Sequence, residues 1–172
     1  GCRRIVEKTP NNAIHVTKLR WAFPSCKVLY IYRHPVDVYS SYCKRYRKDP
    51  EASWANLSVK DFCSRYARRV EAITAAGRSD PENTMMVRYE DFVQNAMNEF
   101  GRICDFVNEP FEINPIRIKD NPDCDAPYEE HITGEIRWNT KDWHDYLNLD
   151  DARRVEKILE DEMHELGFER YT

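Results

Sequence analysis

An α/β fold, a parallel sheet flanked by helices, is what this sequence predicts, and three observations carry the expectation. Short runs near residues 4–7, 27–32 and 84–88 are strand-length, with β-branched and aromatic residues prominent in the second. Longer stretches between and after them carry apolar residues three or four positions apart, the period of an amphipathic helix. Strand, helix, strand in that order implies a right-handed crossover, which makes the strands parallel and gathers their carboxyl ends at one edge of the sheet. A chain of 172 residues holds a single domain, residues 1–172, with a real core and no room for a second of ordinary size.

In chain order, Ile5 and Val6 form the first expected strand, which runs into Glu7, Lys8, Thr9 and Pro10. Asn11 or Asn12 caps a helix whose apolar face is Ala13, Ile14, Leu19, Ala22 and Phe23, ended by Pro24. Val28 to Tyr32 follows as a strand buried on both faces. Pro35 then pushes His34 out of helical backbone and starts a helix over about Val36 to Tyr46. After the Lys48-Asp49-Pro50 break, Ser58 and Asp61 make a capping pair for a helix to about Ala76, with Val59, Phe62, Tyr66, Val70 and Ile73 inward and Gly77 as its end. Thr84 to Arg88 is the third strand, and Tyr89, Glu90 and Asp91 open a helix from Phe92 to Phe106. Residues 108–121 show no period and read as irregular, and Asp150 caps a last helix through Leu166, stopped by Gly167.

Hydrophobic residues at 41% and aromatics at 12% describe a folded globule, and the longest apolar stretches are strand-length, so no membrane-spanning segment is expected. The formal charge of −4 conceals an asymmetry. Residues 1–48 hold eleven Lys or Arg against Glu7 and Asp37, a net of +9, while the remainder keeps 15 of the 26 basic and 28 of the 30 acidic residues, a net of −13. The amino-terminal third therefore attracts anions. A nucleotide with several phosphate or sulfonate charges satisfies that, and nucleic acid is not an expected partner because the basic residues belong to no recognition module. The six cysteines, at 2, 26, 43, 63, 104 and 124, contain no CxxC pair and no metal-ligand spacing, so no metal is expected. The apolar surroundings of Cys26 and Cys104 favour a reducing compartment. A cytoplasmic location is expected, with the Golgi lumen as the alternative for a parent chain with an upstream membrane anchor.

The chemistry concentrates in Cys26 to Tyr42, CKVLYIYRHPVDVYSSY. A guanidinium, Arg33, stands where a strand ends and a helix starts. Ligands of open α/β sheets bind at that edge, and helix N–H groups there favour an anion. Ser41 lies eight residues after Arg33, and about two helical turns separate it from Val36. A plain ion pair of Arg33 with Asp37 or a neighbouring acid is the alternative for this position. Strand, Arg, any residue, Pro, then Ser at plus eight and an aromatic after it resembles the 3′-phosphate-binding motif of sulfotransferases that use 3′-phosphoadenosine 5′-phosphosulfate (PAPS). The resemblance implies a P-loop NTPase-like sulfotransferase fold, with Arg33 and Ser41 on the 3′-phosphate of the nucleotide.

Further matches extend the resemblance from about Glu7 to Leu166. The tetrapeptide Glu7-Lys8-Thr9-Pro10 is similar to the family's KTP or KSP sequence past a strand end, which implies Lys8 as the catalytic residue near the transferring sulfonate. Cytosolic small-molecule members carry a His two residues after that Lys. Pro10 stands there in this chain, which is more similar to bacterial or carbohydrate- and protein-modifying branches; the catalytic carboxylate is then expected upstream, and Glu7 reads as a partner of Arg3 or Arg4. The phrase Arg88-Tyr89-Glu90-Asp91 implies an adenine contact for Tyr89. In the segment ITGEIRWNTKDWHDYL, Gly134 and the basic residues are similar to the loop that closes on the 3′-phosphate, which implies Arg137 first and Lys141 second as cofactor ligands. His144 and His164 read as ordinary surface or satisfied histidines. The five glycines, at 1, 77, 101, 134 and 167, include none in the phosphosulfate-binding loop that relatives place between a first strand and a helix. The chain is therefore expected to be the carboxyl-terminal portion of a sulfotransferase, amino-terminally truncated, with an open sheet flank that favours a homo-oligomer.

Together the resemblance implies in-line transfer of a sulfuryl group from PAPS to a hydroxyl or amine acceptor, leaving adenosine 3′,5′-bisphosphate (PAP). Positioning, lysines and helix dipoles would supply the stabilisation, without a metal. The class of sulfonate acceptor is not legible. Two alternatives stand beside this reading: a non-catalytic fragment or module that binds a 3′-phosphonucleotide, and a related nucleoside or small-molecule kinase, which needs a Walker loop before a helix.

Overall fold

The computed structural model describes residues 4–111 and 143–172. The chain divides into two compact units, Gly1–Met86 with Lys141–Thr172, and Val87–Thr140. In the first, a 3-10 turn at Pro10–His15 leads into α1 (Val16–Ala22), β1 (Val28–Tyr32), α2 (Pro35–Lys48), α3 (Val59–Ser79) and β2 (Thr84–Arg88), whose last two residues count with the second unit. The second unit adds α4 (Tyr89–Gln94) and α5 (Ala96–Val107). The chain then returns to the first through a 3-10 turn at Trp143–Asp145, α6 (Leu149–Ile158) and α7 (Glu160–Glu165). β1 and β2 pair as a parallel two-stranded sheet, with α2 and α3 in the connection between them.

α3 is the scaffold of the first unit. Its amino end is closed by Ser58, whose hydroxyl oxygen accepts from the Asp61 N–H at 3.1 Å and whose O–H donates to the Asp61 carboxylate at 2.7 Å. Asp61 in the first turn also suits the positive end of the helix dipole. The five positions expected inward, Val59, Phe62, Tyr66, Val70 and Ile73, are all buried. Phe62 sits among the rings of Tyr39 and Tyr42 of α2 and Tyr66 of its own helix, at centroid distances of 4.8, 5.8 and 5.9 Å. Val155 and Leu159, on and just after α6, and Met163 of α7 belong to the same cluster. A smaller cluster of Val16, Ile73 and Ala76 supports Val28, Tyr30 and Met86 of the sheet.

Burial leaves a chemical mark on α3. The Cys63 thiol is pushed up to about 12 by desolvation, with the Glu162 charge adding to the effect. A thiol so far from its thiolate is a poor nucleophile. Cys63 is expected to stay unmodified by iodoacetamide at pH 8 in the native protein and to react once guanidinium unfolds it, which mass spectrometry of the labelled peptides would show. Native labelling as fast as that of the partly exposed Cys26 would mean instead that α3 opens locally.

Several elements differ from expectation. Residues 4–9 are not a strand: Ile5 and Val6 are each 92% exposed on irregular backbone, and no described strand offers them a hydrogen-bond ladder. β1 is covered on one face only, since Leu29 and Ile31 point outward while Val28 and Tyr30 pack inward. α3 runs past Gly77 to Ser79, because the turn is closed later by the Asp80 N–H on the Ala76 carbonyl at 3.0 Å. Asn148, not Asp150, caps α6 by accepting from the Asp151 N–H at 2.7 Å. The long helices expected from Phe92 and from Asp150 are each broken once, at Asn95 and at Leu159. Gly167 does stop α7, at φ +70°, a conformation that costs glycine little. No described helix is long and apolar enough to cross a membrane.

Within the second unit, α5 ends on Asn108, which takes the left-handed conformation at φ 55° that Asn tolerates as a helix stop. Arg102 grips Glu99 one turn back through both carboxylate oxygens, at 2.8 and 2.7 Å.

Candidate functional site

β1 ends on Tyr32, and three residues turn the strand into a helix. Arg33 is fixed at its backbone by α3, the Tyr66 hydroxyl donating to its carbonyl at 2.9 Å. His34 takes φ −49° and ψ 129°, the extended backbone forced on a residue before proline, and Pro35 occupies the first helical position. His34 serves as the cap: its Nδ1 accepts from the Val36 N–H at 3.3 Å. The proton therefore sits on Nε2, which donates to the Glu169 carbonyl at 3.0 Å. The ring is 1% exposed, stacked on Tyr171 at 3.7 Å and met edge-on by Phe168 at 5.2 Å.

The charged side chains of this corner meet on one residue. Arg33 Nε lies 3.3 Å from Asp37 Oδ2, one helical turn on. The Ser41 hydroxyl, a turn further, donates to the Asp37 backbone carbonyl at 2.9 Å. Arg33 and Ser41 are thus both brought to Asp37, one to its carboxylate and the other to its main chain. The ion pair raised as an alternative for Arg33 is present. It is only partly exposed, and pairs of this kind contribute about 0.3–1 kcal/mol, too little to hold a guanidinium against a stronger anion. Asp37 Oδ2 also accepts from the Tyr171 hydroxyl at 3.1 Å.

The other predicted residues fare differently. Lys8 lies exposed on the irregular segment before the first turn, and no contact in the structure joins it to Arg33 or Ser41. The carboxylate of its neighbour Glu7 accepts from the Thr9 hydroxyl and the Asn12 side-chain amide and so braces the turn at Pro10–His15, while Arg3, one of the two partners expected for it, lies outside the described residues. Tyr89 is the first residue of α4, directly after β2, and belongs to the second unit. Glu90 and Asp91 fall in the first turn of α4, as anticipated. Arg137 and Lys141 lie outside the described residues. No group of His, Cys, Asp and Glu able to hold a metal occurs among the described residues. The ring of His144 stacks on Trp143 at 3.6 Å.

His34 and Tyr171 were missed in the sequence. The first had a signal, since a side-chain acceptor directly before a proline that opens a helix is placed to cap it. The second had none, because it reaches Asp37 across 134 positions of chain. A separate cleft of about 450 Å³ opens beside the second half of α2, lined by Tyr39, Cys43, Arg47, Asn56 and Tyr146 among others, and of the described residues predicted for the site, Lys8, Arg33, Ser41 and Tyr89, none lines it. There the Tyr39 hydroxyl donates to the Leu57 carbonyl at 2.9 Å, and burial raises both Tyr39 and Cys43 above their usual titration range.

A parallel strand pair with a guanidinium at its carboxyl edge, where a helix starts, makes this an α/β protein, and comparison with known proteins narrows the class. The profile of the sulfotransferase family matches residues 1–113, so the chain belongs to that family. Among solved structures it is similar to a sulfotransferase domain from the curacin biosynthetic pathway, with a TM-score of 0.65 and 21% identity. The likeness covers 97% of this chain and 63% of that one, so the chain spans less than two thirds of that domain, and at this identity it shows a shared fold. No curated protein matches the sequence.

Proposed function

We propose that this chain supplies the 3′-phosphate-binding part of a sulfotransferase that draws on PAPS and delivers the sulfuryl group to a hydroxyl or amine acceptor. The observation that supports this most directly is the meeting of Arg33 and Ser41 on Asp37 at the carboxyl end of β1, in a member of the sulfotransferase family. The donor set suits a phosphate. A guanidinium matches a phosphate in shape and charge, because two of its N–H groups can meet two phosphate oxygens at once. Ser41 can exchange its bond to a neutral carbonyl for one to a charged oxygen by rotating the hydroxyl alone, a gain because bonds to charged groups are the stronger. In this reading Lys8 acts near the sulfonate, Tyr89 packs by the adenine, and Arg137 and Lys141 add charge at the 3′-phosphate. PAPS, when bound, supplies the activated sulfuryl group; the residues named here hold and orient it.

Calorimetric titration tests the reading. Adenosine 3′,5′-bisphosphate is expected to bind at least about tenfold more tightly than 5′-AMP, since charged hydrogen bonds to the extra phosphate contribute roughly 1.5–3 kcal/mol. Arg33→Ala should erase the preference, and Arg154→Ala, which touches only an exposed pair with Asp151, should leave it unchanged. Equal affinity of the unaltered protein for the two nucleotides would refute the assignment. Preference without turnover of PAPS in the presence of hydroxyl or amine acceptors would instead select the non-catalytic alternative.

A further inference from the structure

The segment that follows Gly167 does more than close the core. Phe168 is buried, and its ring meets both Tyr32 of β1, at 5.8 Å, and His34. Three residues on, Tyr171 is held in two ways, at its ring and at its backbone. Its ring stacks on the buried His34 at 3.7 Å with only 15° between the planes. Its N–H donates to Glu156 Oε1 at 2.6 Å, and the Thr172 hydroxyl donates to the other oxygen of the same carboxylate. Glu156 comes from α6 and is 1% exposed, so this carboxylate is anchored in the core and directs both of its oxygens at the segment. A tyrosine gripped at ring and backbone delivers its hydroxyl to one place. That place is Asp37 Oδ2, the oxygen that also faces Arg33 Nε.

We infer that Tyr171 is a positioning residue for the anion site: it fixes the Asp37 carboxylate, and through it the orientation of the Arg33 guanidinium, before any phosphate arrives. The inference rests on the reading of Arg33 as the 3′-phosphate ligand. An ion pair one helical turn apart contributes little toward fixing either side chain, because the attraction is small beside the entropy of holding two flexible groups. A third group on a rigid frame changes that balance, and ordering completed in advance is not charged against binding. The alternative is that the Tyr171 hydroxyl merely rests on Asp37, its ring and backbone being what matters for the fold.

Tyr171→Phe separates the two, because it keeps the stack on His34 and the backbone bond to Glu156 and removes the hydroxyl alone. Two measurements on the whole chain are needed. Hydrogen exchange of the Arg33 Nε–H, followed by NMR and assigned by its loss in Arg33→Lys, reports the guanidinium without any ligand. Titration with adenosine 3′,5′-bisphosphate and with 5′-AMP reports the site. The expected result is an unchanged melting temperature, exchange several-fold faster, and a preference for the bisphosphate reduced by about three- to tenfold through loss of its affinity alone. Unchanged exchange in the variant would overturn the inference, and so would faster exchange with an unchanged preference, since the contact would then set nothing at the site. Absence of any preference in the unaltered protein refutes the 3′-phosphate assignment itself, and the positioning role falls with it. The unaltered protein thus tests the assignment and the variant tests Tyr171.

Discussion

Phe62→Ala is expected to lower the stability of the first unit by about 3–5 kcal/mol, the range for a buried aromatic cut back to a methyl group. The site has little capacity to collapse. Phe62 projects from the first turn of α3 among three tyrosine rings, and two of those rings are anchored: the Tyr39 hydroxyl is bonded to the Leu57 carbonyl and that of Tyr66 to the Arg33 carbonyl. Closing the cavity would break those bonds or leave them bent, so most of the void should persist and its lining should lose contact outright. For a protein of this size such a loss lowers Tm by roughly 10 °C or more, and chains of this class hold only about 5–15 kcal/mol in all. Phe62→Leu keeps most of the hydrocarbon and should cost well under half as much. Urea denaturation followed by circular dichroism measures both. A cost below about 1 kcal/mol for Phe62→Ala would show that α2 and α3 do not pack through this ring.

That the ring could be placed from sequence at all reflects the local nature of helix signals. The Ser58 cap and the inward set from Val59 to Ile73 are related by spacing within one element, and spacing survives whatever the rest of the chain does. The same holds for Pro35, whose ring fixes the start of α2 without outside help, and for β2, which ends as expected at Arg88. Strand partnership is different in kind. Ile5 and Val6 have the composition of a strand, but a strand exists only where a neighbour accepts and donates its hydrogen bonds, and composition does not report neighbours. Nor does an apolar run say which of its faces is covered, which is why Leu29 and Ile31 lie open in a strand expected to be buried on both sides.

The candidate site divides along the same line. Arg33, Asp37 and Ser41 lie one turn apart in a single strand-to-helix corner, so their neighbourhood was legible. The frame around them was not. Glu156, Phe168 and Tyr171 come from the far end of the chain, and nothing in the spacing of Glu156 and Tyr171 marks one as a clamp for the other. Asn148 and Asp150 illustrate a finer limit. Both are cap formers in the run Asn-Leu-Asp-Asp, and only geometry selects the one whose oxygen reaches an N–H three residues on.

His34 joins the two halves of that division, which makes its replacement the second large effect expected. His34→Ala removes three things: the acceptor that caps α2, the bond from Nε2 to the Glu169 carbonyl, and a buried ring between Tyr171 and Phe168. Loss of the cap alone costs about 0.5–2 kcal/mol. An unpaired buried carbonyl and a cavity add to that, giving an expected total of about 3 kcal/mol. His34→Asn separates the contributions, because Asn is a good cap but offers no ring for Tyr171 to stack on; it should recover about 1 kcal/mol of the loss and no more. The function should follow the ring rather than the cap. Without the stack, Tyr171 loses one of its holds, so both variants should show a weakened preference for adenosine 3′,5′-bisphosphate over 5′-AMP, while Phe62→Leu keeps it. Urea titration and calorimetry on the three proteins check this together. A His34→Asn protein with full stability and an intact preference would show that the cap is all His34 supplies, and that the segment after Gly167 stays in place without it.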